Sequence, residues 1–150
     1  MKRAEPTGKT RSVLLVDDNK NGSAARKSVL MESGYAVETA ASGHEALEEF
    51  QQQHFDLVVT DFRMPRMNGT ELIAQLRAIR STLPVIMLTG YVETGGLTEE
   101  STGANIVLPK GANEVQQLVR AVNRLLQHRS PRKPASSLTG ARPTPKRRIN

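Results

Sequence analysis

Residues 56–72 read DLVVTDFRMPRMNGTEL. Asp56–Thr60 (DLVVT) is read as a strand, a compact and β-branched run that stops at one carboxylate, Asp61. A continuous run of this kind, without polar alternation, suits a strand buried on both faces. Pro65 and Gly69 shape the loop behind it. Asn68 with Glu71 has the spacing of a helix cap, and Leu72, Ile73, Leu76 and Ile79 then share one helical face. The unit is a strand, a loop opening on an acid, and an amphipathic helix. Its recurrence on both sides decides the fold.

On the N-terminal side, Ser12–Val16 (SVLLV) ends at Asp17-Asp18, Ala24–Met31 is helix-compatible, and Gly34 offers a stop. Ala36–Ala40 is a second, weaker strand. Ser42 with Glu45 caps a helix over His44–Gln53, with Ala46, Leu47 and Phe50 on one face. On the C-terminal side Val85–Leu88 ends at Thr89, and Asn105–Leu108 ends at Pro109-Lys110. Glu114–Gln127 closes the body, with Val115, Leu118, Val119, Val122, Leu125 and Leu126 at helical spacing. Residues 93–102 are the weak link, because Gly95-Gly96 would cost a helix about 1 kcal/mol each. A shortened or mobile fourth helix is expected. Met31 and Met87 read as core fillers.

Five strand–helix units predict an α/β fold: a doubly wound, five-stranded parallel sheet with helices on both faces. Ligands of such sheets bind beyond the carboxyl ends of the strands. Asp17, Asp18, Asp61, Thr89 and Lys110 each follow a predicted strand, so they are expected on one edge.

The chain has 150 residues, 37% hydrophobic and 24% charged, with three Phe, two Tyr and no Trp, so its core must be aliphatic. The absence of Cys excludes a disulfide scaffold, a thiolate zinc site and a Cys nucleophile. Three scattered His argue against a His-based metal site. Residues 129–150 carry seven basic residues, four Pro and no acid, which predicts a basic disordered tail. Residues 1–11 read as a flexible arm. The body, 12–128, holds ten basic and fourteen acidic residues, a net of −4. The overall +6 therefore belongs to the ends, and the body carries no nucleic-acid signal. The Pro-rich tail leaves no room for a helix-turn-helix. No run approaches the ~18 apolar residues of a membrane span, and residues 1–11 lack a signal-peptide core. A cytoplasmic protein without membrane insertion is expected.

Three carboxylates on one edge repel one another, and a hard divalent cation relieves that repulsion. Mg²⁺ prefers oxygen ligands and needs only one or two carboxylates beside substrate phosphate. Lys110 adds a positive charge and Thr89 a hydroxyl. Together these groups suit stabilisation of a transferring phosphoryl group. A carboxylate oxygen can be the attacking atom. Asp61 is the candidate, since it stands alone on its strand end while Asp17 and Asp18 pair.

Four pieces, LLVDDN at 14–19, VVTDFRMPRMNGTEL at 58–72, VIMLTG at 85–90 and GANIVLPK at 103–110, make residues 12–127 resemble the receiver domain of two-component response regulators. The resemblance implies a flavodoxin-like sheet in the order 2-1-3-4-5. It implies Asp61 as phosphoacceptor for a phosphohistidine on a sensor histidine kinase or phosphotransfer protein. It implies Mg²⁺ on Asp17, Asp18, Asp61 and the Arg63 backbone carbonyl. Thr89, Lys110 and the backbone amides of Phe62 and Gly90 would hold the phosphoryl oxygens, with room at Gly90 for its entry. Phosphorylation would switch a surface read by a downstream protein. Two positions depart from the family pattern. Val107 replaces a frequent aromatic, and Gly111 replaces a frequent Pro. An altered output face with retained phosphorylation chemistry is expected.

Two rival readings stand beside this one. An Asp-nucleophile, Mg²⁺-dependent phosphatase usually places a second Asp two residues on as general acid, where this chain has Arg63. A degenerate receiver fold could instead act through its basic tail on an anionic partner, weakly and with steep salt dependence. Gly8-Lys9-Thr10 mimics the end of a P-loop, but Arg3 stands where its first Gly belongs. Asp17-x-Asn19-x-Asn21-Gly22 mimics a calcium loop, but Ser28 stands at its bidentate Glu position.

Overall fold

The computed structural model describes residues 10–90 and 97–127. Residues 1–9 of the expected arm (1–11), residues 91–96 with Gly95-Gly96, His128 and the expected tail at 129–150 lie outside the described residues. The chain runs β1 (Ser12–Val16), α1 (Lys20–Glu32), β2 (Ala36–Ala40), α2 (Gly43–Gln52), β3 (Leu57–Asp61), α3 (Gly69–Ile79), β4 (Val85–Thr89), α4 (Glu99–Thr102), β5 (Ile106–Pro109) and α5 (Glu114–Gln127). All strand pairs are parallel, in the order β2-β1-β3-β4-β5, which bears out the expected sheet.

Alternation along the strands divides the core between two faces. Leu14, Val58, Val85 and Met87 pack with Phe50 of α2 and Leu72, Ile73 and Leu76 of α3. Val13, Leu15, Val59, Ile86 and Leu88 pack with Leu30 of α1 and Leu118, Val122 and Leu126 of α5. Met87 is a core filler as expected, but Met31 is 52% exposed and Ile79 51%. Leu30 takes the core position in that turn of α1, and its helical neighbour points elsewhere. Among the described residues no helix is long and apolar enough to cross a membrane.

Local chemistry explains the boundaries. Helix α1 starts four residues before the apolar pattern because Asn19 accepts the N–H groups of Asn21 and Gly22. At α3 the expected cap closes in both directions: Asn68 accepts Glu71 N–H and Glu71 accepts Asn68 N–H, each at 2.9 Å. At α2 only half the box forms. Ser42 accepts Glu45 N–H, while the Glu45 carboxylate turns one residue upstream to Ala41 N–H. The four residues of α4 end at Gly103, whose φ of 85° suits a residue without Cβ. Strand β5 begins one residue later than expected. The Asn105 side chain instead accepts from Val85 N–H at 2.9 Å and from Arg77 Nη2 at 2.8 Å.

The loop after β3 is held by close backbone approach. Gly69 N–H donates to the Phe62 carbonyl at 2.8 Å. A Cβ at Gly69 would stand 2.4 Å from the Asp61 carbonyl oxygen and 2.8 Å from Met87 Cε. The backbone cannot yield as a side-chain tip can, so Gly69→Ala is expected to cost about 2–4 kcal/mol of stability. Urea unfolding checks this, and an unchanged midpoint would contradict the packing. Arg66, in the same loop, has φ 69° and sits inside a tight turn closed by Met67 N–H to the Pro65 carbonyl at 2.7 Å.

Candidate functional site

The carboxyl ends of β1, β3, β4 and β5 meet at one edge. Asp17 leaves β1 with its backbone still in register, its N–H on the Ala40 carbonyl at 3.0 Å. Asp61 is the last residue of β3 and Thr89 the last of β4. Lys110 follows β5, and its N–H donates to the Thr89 carbonyl at 2.8 Å. Pairing of Asp61 with Leu88 and of Thr89 with Pro109 brings the ends of β3, β4 and β5 to the same level at this edge.

Asp17, Asp18 and Asp61 each offer one carboxylate oxygen, and these oxygens lie within 4.8 Å of one another. Asp17 and Asp61 are buried, Asp18 is exposed. Lys110 Nζ stands 2.8 Å from Asp61 Oδ1 as an ion pair. The contact lacks hydrogen-bond alignment, and that buried oxygen has no hydrogen-bonding partner. One ammonium does not balance three carboxylates gathered this closely, and a cluster of oxygen ligands of this kind fits a hard cation.

The two buried acids differ. Burial, then the neighbouring Asp17, pushes the Asp61 carboxyl up to about 7 against the pull of Lys110. Burial also works to raise Asp17, but hydrogen bonds with Asp61, the Asn19 N–H and the Arg26 guanidinium outweigh it and hold Asp17 below the ordinary value. Two like charges this close do not ionise equally, so the two carboxyls titrate as a pair.

The remaining expected residues surround this centre. The Phe62 amide donates to the Leu88 carbonyl at 3.0 Å, so it belongs to the sheet ladder. Arg63 is exposed on the loop, next to a cavity of about 510 Å³ lined by Asp18, Phe62, Met64, Pro65 and Asn68. A Cβ at Gly90 would meet only Lys110 Cδ, at 3.9 Å, and one at Gly111 would meet nothing. Val107 is partly buried against the α2–α3 core, and its N–H donates to Glu99 Oε2 of α4 at 3.1 Å.

Sequence reasoning missed Arg26. This α1 residue is 6% exposed, and its guanidinium bonds both Asp17 and Glu114. The available signal was its place four residues before Leu30, on the core face of the helix, where a charge demands a buried partner.

The model of the response regulator receiver domain family matches residues 13–123. The gliding motility regulatory protein of Myxococcus xanthus is 33% identical over 126 residues, which is 80% of this chain and 16% of that protein. This chain thus spans a small part of that relative. A solved structure of the response regulator protein TrrA from Thermotoga maritima, in complex with Mg(2+)-BeF, shares 32% identity with a TM-score of 0.70. It covers 78% of this chain and 100% of that one. TrrA also appears in complex with the histidine kinase ThkA, with 31% identity, a TM-score of 0.69 and coverage of 78% and 99%. The strand order, the acidic edge and these matches agree, and the chain belongs to the receiver domain family of two-component response regulators.

Proposed function

We propose that this chain accepts a phosphoryl group on Asp61 from the phosphohistidine of a sensor histidine kinase or phosphotransfer protein. The observation that carries the reading is the buried Asp61 carboxylate, ion-paired with the Lys110 ammonium at 2.8 Å and within reach of the Asp17 and Asp18 carboxylates. Asp17, Asp18, Asp61 and the Arg63 backbone carbonyl would hold Mg²⁺. When bound, that ion neutralises the acids and the charge on the phosphoryl oxygens.

The chain's own groups do the rest. Removal of the proton from Asp61 frees a carboxylate oxygen to attack phosphorus. An O–P bond forms, the P–N bond to the donor imidazole breaks, and the departing nitrogen keeps the electron pair and takes up a proton. Lys110 follows the developing negative charge from a position already beside the nucleophile, so little reorganisation is needed. Thr89 and the Gly90 amide supply donors to the phosphoryl oxygens. The Phe62 amide can join them only by sharing or leaving its bond to Leu88.

The complex of TrrA with ThkA supports a kinase partner. The new acyl phosphate would bias a two-state equilibrium read by a downstream protein in the cytoplasm. Val107, pinned at its backbone to α4, alters how that change reaches the output face. The phosphatase alternative lacks its general acid, because Arg63 occupies that position and is exposed. Contact of residues 129–150 with an anionic partner is a separate, salt-sensitive role.

Incubation with Mg²⁺ and acetyl phosphate, followed by intact-protein mass spectrometry, tests the assignment. Wild type is expected to gain one phosphoryl group and Asp61→Asn none. Equal labelling of both would remove Asp61 as acceptor.

A further inference from the structure

A buried guanidinium beside the acidic cluster takes no part in the chemistry above. Arg26 Nη1 donates to Asp17 Oδ2, and Arg26 Nε donates to Glu114 Oε2. The other Asp17 oxygen accepts the Asn19 N–H at 2.8 Å. Glu114 opens α5, and its own N–H donates to the carbonyl of Gly111, the residue after Lys110, at 3.1 Å. The chain of contacts therefore leaves the acidic edge at Asp17, crosses from α1 to α5, and returns to the loop that carries Lys110.

We propose that Arg26 is a positioning residue that divides one positive charge between Asp17 and Glu114, and so sets how strongly the acidic cluster binds a divalent cation. The proposal rests on reading Asp17, Asp18 and Asp61 as the cation's ligands.

The argument is electrostatic competition. Arginine keeps its charge when buried, and its rigid fork can face two carboxylates at once. A fixed cation on a ligand carboxylate opposes a second cation arriving there. Glu114 weakens that opposition by drawing the guanidinium toward α5. A divalent ion on Asp17 would in turn leave Arg26 more fully to Glu114. By linkage, anything that engages Glu114 from outside alters the cation affinity, and the cation alters that engagement equally. A merely structural brace behaves differently, because loosening it from either end disorders Asp17 and weakens binding in both cases.

The test is calorimetric titration of Mg²⁺ into the unphosphorylated full chain. E114Q leaves Arg26 wholly on Asp17 and is expected to weaken binding about fivefold. R26M removes the opposing charge and is expected to tighten binding about tenfold. R26M leaves Glu114 without its partner, so R26M/E114Q, which removes both charges and spares the fold, is measured beside it with the same expected direction. The Arg26 Nε–H resonance gives a second readout. It should be protected in the metal-free wild type, shift on Mg²⁺ addition and lose protection in E114Q. Opposite signs for E114Q and R26M/E114Q support the proposal. Weaker binding in both, or a resonance unmoved while Mg²⁺ binds, overturns it. A wild type that binds no Mg²⁺ overturns the metal reading itself and this proposal with it, an outcome distinct from variants that fail to separate.

Discussion

Replacing Lys110 by methionine is expected to slow phosphoryl acceptance about 100-fold or more, the scale on which removal of a preorganised charge-stabilising donor acts. The ammonium lies 2.8 Å from Asp61 Oδ1 before any substrate arrives. Its contribution to the transition state thus costs little rearrangement. A second effect compounds the first. Lys110 pulls the Asp61 carboxyl down against burial and Asp17, so in Lys110→Met the carboxyl stays protonated to higher pH. The rate profile with acetyl phosphate should therefore fall in amplitude and move its rising limb to higher pH. A profile lowered but unmoved would separate Lys110 from the ionisation of Asp61, and an unaltered rate would remove it from the chemistry.

The pH dependence of the metal-free protein carries the other large effect. Asp61 ionises near its ordinary value of 3.8 in the unfolded chain but near about 7 when folded, first through burial and then through Asp17. Between those values the folded protein holds a proton that the unfolded chain has released. Stability must then fall as pH rises through that window, with the full penalty above about pH 7. The interval from 3.8 to about 7 caps the penalty at about 4 kcal/mol. The lowered Asp17 carboxyl returns part of it. Asp61→Asn is therefore expected to match wild type at pH 3 and to exceed it by about 1–3 kcal/mol at pH 8. Urea unfolding at both pH values checks the difference, and a gap equal at both would contradict it. Cation binding has the opposite sign. A ligand carboxylate must lose its proton, so wild-type Mg²⁺ affinity should fall about tenfold for each pH step of one below about 7.

Four of the strands were legible because each apolar run ends abruptly at a polar group or at Pro109-Lys110, and a buried parallel strand has little freedom to slip past such a stop. The site was legible for the same reason, since Asp17, Asp61, Thr89 and Lys110 mark those stops. Features set by a single side chain were less so. The first turn of α1, KNGS, has no apolar periodicity, and only the Asn19 cap reveals it. Ser42 and Glu45 have the spacing of a closed box, yet Glu45 finds Ala41 instead. Ile79 obeys the helical stripe of α3 but sits in the final turn, half exposed. Arg26 was hidden because its partners, Asp17 and Glu114, lie 9 and 88 positions away and meet it only when α1 packs near α5.

These effects depend on one arrangement, in which the acids of β1 and β3 enclose a cation while Lys110 and Thr89 face a phosphoryl group on Asp61. A crystal structure of the chain grown with Mg²⁺ and beryllofluoride tests it most directly. The expected result is beryllium bonded to an Asp61 carboxylate oxygen, Mg²⁺ ligated by Asp17, Asp18, Asp61 and the Arg63 carbonyl, and Lys110 and Thr89 on the fluorines. A structure with the adduct on another residue, or with neither ion at this edge under saturating conditions, would contradict the account.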